Sequence, residues 1–209
     1  MRRVLLALFC FLVFTAQAEA HQPRIIGTQT KNQILDTQTS QAFYGKLDGH
    51  PARFLLGNSK PFNLYVQITT PDLPGSHQDW WVWIHRYGGG WNRSLPHRKP
   101  WEKMFEPFGG DHYLIGGELD KRAPAGLYEI LVGRPSMRGT YILVVGKKES
   151  FGAGDTVRAL RDIPIIKHDY FGASWLEAYL SRTVPILLIF LVPIFILIWR
   201  LWRTPRQST

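Results

Sequence analysis

A chain of 209 residues is too short for several large domains. Its only cysteine, Cys10, excludes a disulfide framework, so the fold must rest on its own core. The formal charge of +9 favours anionic surfaces over cationic ones, although many of the arginines crowd the two ends of the chain.

The first element is a leader. Arg2 and Arg3 precede an uncharged apolar run at 4–14, too short to span a bilayer. Ala16-Gln17-Ala18 and Ala18-Glu19-Ala20 both offer small-x-small cleavage sites. Residues 1–20 therefore read as a signal peptide, and the rest as exported. Residues 21–40 are polar, with recurring Gln and Thr, and read as a tether or a loosely attached first strand.

From 41 the pattern turns β. A strand at 42–47, the turn Asp48-Gly49 and a strand at 52–56 read as a hairpin. Residues 61–69 alternate, with Phe62, Leu64, Val66 and Ile68 on one face. In the strand at 80–87, Trp81, Trp83, His85 and Tyr87 share one side; Trp80, Val82, Ile84 and Arg86 share the other. Residues 91–110 are irregular, but Trp91, Trp101, Met104, Phe105 and Phe108 argue against disorder. Strands follow at 112–119, with Gly116-Gly117 marking a bulge, at 127–132 after Pro124-Ala125-Gly126, and at 140–145 after a hairpin around Met137-Arg138-Gly139. These make about seven strands, a mainly β chain forming a single β-sandwich over 41–148.

Beyond it, residues 149–182 read as a juxtamembrane stalk. A short helix spans 155–161, Pro164 breaks the next run, and Ser174 caps a helix at 175–180. Residues 183–202 are expected to form a transmembrane helix. No charge falls between Thr183 and Trp199, Arg200 snorkels, and Trp199 and Trp202 suit the interface. Arg200, Arg203 and Arg206 place the tail at 203–209 in the cytoplasm. The expected localisation is thus the cell membrane, single-pass, with the N-terminus outside.

The segments Pro61-Phe62-Asn63-Leu64-Tyr65-Val66-Gln67, Ala125-Gly126-Leu127-Tyr128-Glu129-Ile130-Leu131-Val132 and Gly139-Thr140-Tyr141-Ile142-Leu143-Val144-Val145 resemble the bacterial pre-peptidase C-terminal domain family. In such a pattern glycine turns the chain and alternating Tyr and aliphatic residues fill the space between sheets. The resemblance covers about residues 42–146 and implies a small β-sandwich with a binding or structural role and no catalytic residues. The Trp-rich stretch 77–110 and the apolar C-terminus depart from it.

Trp80, Trp81, Trp83, Trp91 and Trp101 fall close together, either as core or as an exposed surface for sugars. In the second case Tyr87, Trp91 and Trp101, with Arg93 and Arg98 interleaved, are the candidate ligand-binding residues. A membrane, a glycan, an anionic lipid or a protein are the candidate partners; nucleic acid is not expected. His77, His85, His97 and His112 show no compact ligand spacing, so no metal or other cofactor is expected. One alternative remains: cleavage after Ala20 would make His21 the first residue, whose amine and imidazole can chelate copper. No Gly-x-Ser-x-Gly occurs, and no catalytic residue is assigned, although Glu102, Glu106, Asp111 and Glu118 leave a carboxylate pair open. The leading expectation is a non-catalytic, membrane-tethered extracytoplasmic binding module. A small exported enzyme or copper-site protein and a structural subunit of a membrane complex are the alternatives.

Overall fold

In the computed structural model, which describes residues 21–96, 100–107, 109–150 and 152–203, every alternating run becomes a strand. Residues 1–20, expected to form a leader, residues 204–209 and Arg98 lie outside the described residues. The strands are β1 (Gln22–Gly27), β2 (Lys31–Ile34), β3 (Gln41–Asp48), β4 (Ala52–Asn58), β5 (Phe62–Pro71), β6 (Trp81–Arg86), β7 (Asn92–Ser94), β8 (Glu102–Glu106), β9 (Asp111–Ala123), β10 (Gly126–Gly133) and β11 (Arg138–Val145). They form a six-stranded sheet, ordered β1-β3-β11-β5-β9-β8, and a five-stranded sheet, ordered β2-β4-β10-β6-β7.

The expected sandwich of about seven strands is thereby corrected to eleven strands among the described residues, in two sheets that curl into a half-barrel arrangement. The four extra strands, β1, β2, β7 and β8, are the outer strands of the two sheets. An outer strand pairs on one side only, and these four are short or polar, so none shows a long apolar alternation. The polar segment after the leader is bound, not loose: β1 runs parallel to β3 and β2 parallel to β4.

The expected hairpins are also corrected. β3 and β4 lie in different sheets, as do β10 and β11. The turns at Gly49 and Met137 carry the chain across the core, and both residues take positive φ, 87° and 49°. Arg134 holds the second corner. It donates Nη1–H to the Arg138 carbonyl at 2.6 Å, and Nε–H and Nη2–H to Asp79 at 2.9 and 3.0 Å. That bidentate pair ties the β10–β11 corner to the loop entering β6.

Phe62, Leu64, Val66, Ile68, Tyr128, Ile130, Tyr141 and Leu143 are all buried in one core shared by the sheets, as their alternation predicts. Ring contacts bridge it, Phe43 to Phe54 at 5.4 Å and Phe62 to Tyr128 at 5.7 Å. The six-stranded sheet is buried on its other face too, where the Tyr44 and Tyr113 hydroxyls meet at 2.8 Å. Burial, and then Tyr44, push the Tyr113 phenol well above 10.0, so that phenol stays protonated.

The irregular Trp-rich segment fills core. Trp91 packs edge-on against Tyr128 at 5.4 Å. The Trp101 ring lies against β9 where Gly116 leaves room; a Cβ there would sit 2.5 Å from it. The register of β5 and β9 shifts at this point, confirming the bulge expected at Gly116-Gly117.

One compact unit ends at Ala159 and a second begins at Leu160. Helix α1 (Ala153–Phe171) continues through Pro164, where the sequence suggests a break. Proline removes one hydrogen bond, but Ala159, Ile163, Ile166 and Tyr170 recur at helical spacing and are all buried. Ser174 caps α2 (Trp175–Ala178) as expected and forms a reciprocal capping box with Glu177, whose carboxyl the Ser174 backbone and hydroxyl donors hold below its usual value. A π-helical turn, Tyr179–Thr183, leads into α3 (Val184–Arg203).

Among the described residues, no helix is long and apolar enough to cross a membrane. This overturns the expected transmembrane helix at 183–202, and with it the single-pass cell-membrane localisation with an outside N-terminus and a cytoplasmic tail. The uncharged run from Thr183 to Trp199 would reach about 25 Å as a helix, short of a hydrocarbon core of about 30 Å. Arg200 and Arg203 lie in the last turn, and Pro193 sits inside α3. Trp199 is half exposed, and Trp202 adjoins those arginines.

Two outcomes follow from this packing. Trp101→Ala should lower unfolding free energy by about 3–5 kcal/mol in a denaturant titration, because the ring has no solvent-exposed alternative site. The second concerns Asp79, which its hydrogen bonds from Arg134 hold below the ordinary 3.8. A lowered folded-state value means that this contribution is present above pH 3.8 and lost as pH falls from there through the folded value. Asp79→Asn should therefore reduce the melting temperature at neutral pH and flatten its decline in that acid window.

Candidate functional site

Alternation decides which side chains the five-stranded sheet turns away from the core. In β4, Ala52, Phe54 and Leu56 point inward, leaving Arg53 and Leu55 outside. In β10, Tyr128, Ile130 and Val132 point inward, leaving Leu127, Glu129 and Leu131. In β6, Val82 and Ile84 point inward, leaving Trp81, Trp83 and His85.

Register assembles these side chains into rows across the strands. One row runs Lys31, Arg53, Leu131, Trp83, Ser94. The next runs Gln33, Leu55, Glu129, His85, Asn92. A third places Tyr87 beside Leu127, whose carbonyl accepts the Tyr87 N–H at 2.9 Å. Trp83 and Tyr87 are 61% and 47% exposed, and Leu55 and Leu127 are exposed beside them. Trp81 lies across Gly133, where a Cβ would sit 2.1 Å from its ring.

Glu129 organises the middle row. Its side chain is only 6% exposed, with Arg53 Nε 3.4 Å from one carboxylate oxygen and His85 Nε2 3.4 Å from the other. Arg53 and His85 are themselves half to one-third exposed, so they shield the carboxylate and present donors to solvent. The His85 ring also contacts Tyr87, with centroids 5.3 Å apart. The surface has stacking rings, a carboxylate–guanidinium pair and oriented donors.

The residues singled out from the sequence do not converge. Tyr87 lies on this outward face. Trp91 and Trp101 are each 6% exposed and belong to the core, so neither offers a ring face to a ligand. Arg93 pairs with Ile84, on the inward side of β6, and its guanidinium covers the Trp91 ring at 5.0 Å. Arg98 lies outside the described residues. Trp83, His85, Arg53 and Glu129 were not selected, although alternation had already placed Trp83 and His85 on the side of Tyr87. The His21 ring Nδ1 is hydrogen-bonded to the Ser40 hydroxyl at 2.5 Å. Among the described residues, no group of three or more His, Cys, Asp or Glu side chains is placed to hold a metal.

No family model matches the chain, and no curated protein matches it. Among solved structures it is similar to the pre-peptidase C-terminal domain of a collagenase from Bacillus anthracis, at 15% identity over 55% of this chain and 92% of that one, with a TM-score of 0.37. It is also similar to a periplasmic inhibitor of g-type lysozyme from Salmonella Typhimurium, at 12% identity over 57% of this chain and 100% of that one, TM-score 0.34. A surface-associated copper-binding protein of Methylomicrobium album BG8 matches at 10% identity over 58% and 100%, TM-score 0.32. These are distant, partial likenesses, and no shared activity follows from them.

The exposed and the buried aromatic residues of this region should respond differently to truncation. Trp83→Ala and Tyr87→Ala should each change unfolding free energy by no more than about 0.5 kcal/mol. Trp91→Ala should cost about 3–5 kcal/mol in the same denaturant titration.

Proposed function

We propose that this protein is a non-catalytic interaction module that binds through the outward face of its five-stranded sheet. One observation carries the reading: two large aromatic side chains, Trp83 on β6 and Tyr87 just past its end, stand exposed on one face. Around them the sheet is ordered by the Arg53–Glu129–His85 cluster. Large exposed aromatics grouped with arginine are the composition of binding hot spots. A carboxylate held between a guanidinium and an imidazole and screened from solvent is suited to positioning its neighbours.

Site-specific photo-crosslinking in the native host tests this. A benzophenone amino acid replacing Trp83 in the full chain should give a covalent adduct on irradiation. The same replacement at the exposed Lys121, on β9 of the opposite sheet, should give none. No adduct at position 83, or equal labelling at both, would overturn the reading.

A further inference from the structure

We infer that the ligand of this face is a short neutral glycan, gripped by Trp83 and Tyr87 through its C–H faces and by Arg53 and His85 through its hydroxyl oxygens. This rests on the interaction reading above and assigns its ligand class. The first argument is the order of the rows. Trp83 stands beside Leu131 in a row that also holds Arg53, and Tyr87 stands beside Leu127. Between them runs the polar band of Glu129, His85 and Asn92. A protein interface core needs a continuous apolar centre with a polar rim. Here polar groups lie in the middle and rings on either side. A saccharide has the matching chemistry, because its ring carbons present apolar C–H patches while hydroxyls project around them.

Spacing supplies the second argument. Three extended residues of β6 separate Trp83 from Tyr87, which follows the end of the strand, so their Cα atoms stand about 13–14 Å apart. One monosaccharide cannot touch both rings, whereas an oligosaccharide laid along β6 can. The strand is part of a paired sheet, and His85 packs against Tyr87, so the platform is ordered before the ligand arrives.

Charge supplies the third. Glu129 lies within 3.4 Å of both Arg53 and His85 and cancels the guanidinium charge at the centre of the face. Polyanions such as nucleic acid or sulfated glycans gain little there. The remaining N–H donors of Arg53 and the imidazole still serve uncharged hydroxyls. Glu129 acts through those two side chains as a positioning residue.

Isothermal titration calorimetry of the full chain against neutral hexasaccharides is the test. The series comprises β-1,4-linked glucose, α-1,4-linked glucose and β-1,4-linked N-acetylglucosamine, with heparin as the polyanion. At least one neutral hexasaccharide should bind, and heparin should bind more weakly or not at all. Trp83→Ala and Tyr87→Ala should each weaken that binding at least about tenfold with unchanged melting temperature. Absence of binding by every neutral hexasaccharide at millimolar concentration, tighter binding of heparin, or binding undiminished in both variants would each overturn the glycan assignment. A Trp83 crosslink in cells together with no sugar binding would overturn the ligand class alone. Loss of the crosslink would remove the interaction reading itself.

Discussion

Tyr128 sits at the centre of this fold, and much else is arranged around its burial. Its ring is fully enclosed between the sheets, edge-on to both Phe62 and Trp91. A buried phenol needs a hydrogen-bond partner, and its hydroxyl donates to the Pro124 carbonyl at 2.7 Å. Desolvation raises its pKa above the ordinary value, which keeps it a donor. The same residue therefore fixes the inward face of β10, the corner before β10 and the seat of Trp91. Because the chain passes between sheets at several corners, neither sheet can bury its inward face without the other.

That constraint explains why aromatic richness alone misleads about the binding surface. Tryptophans near in sequence separate in space when a strand turns one to the core and the next to solvent. Trp80, just before β6, is buried, its indole N–H donating to the His77 carbonyl at 2.9 Å, while Trp83 on β6 is exposed. Trp91 and Trp101 return inward because the core has room for them. For Trp101 that room is the missing side chain of Gly116. The segment carrying them offsets its ordering entropy by burying large rings. The functional surface is left to residues that the core does not need.

Glu129 illustrates how such a surface holds its shape. A carboxylate this little exposed is costly unless it is paired, and pairing requires Arg53 from β4 and His85 from β6. Three strands distant in sequence thus contribute one cluster. The charge requirement orders side chains that would otherwise sample many rotamers, and the neighbouring aromatic Tyr87 is steadied through His85.

Local chemistry in the sequence was sufficient for seven strands, the Gly116-Gly117 bulge, the Ser174 cap and the inward set from Phe62 to Leu143. Each is a consequence of alternation, a missing side chain or a capping donor, all of which act within a few residues. Even the face shared by Trp83, His85 and Tyr87 was legible from the two-residue period of β6. Tertiary structure alone decided which side of that strand meets the core, since both sides are apolar enough to be buried. It also decided that the turns at Gly49 and Met137 are crossings between sheets, because a turn has the same local signature in either role. The four outer strands needed a neighbour to exist as strands, and the Arg53–Glu129–His85 cluster needed the register of β4, β10 and β6. Such features depend on pairing between distant segments, which no local pattern encodes.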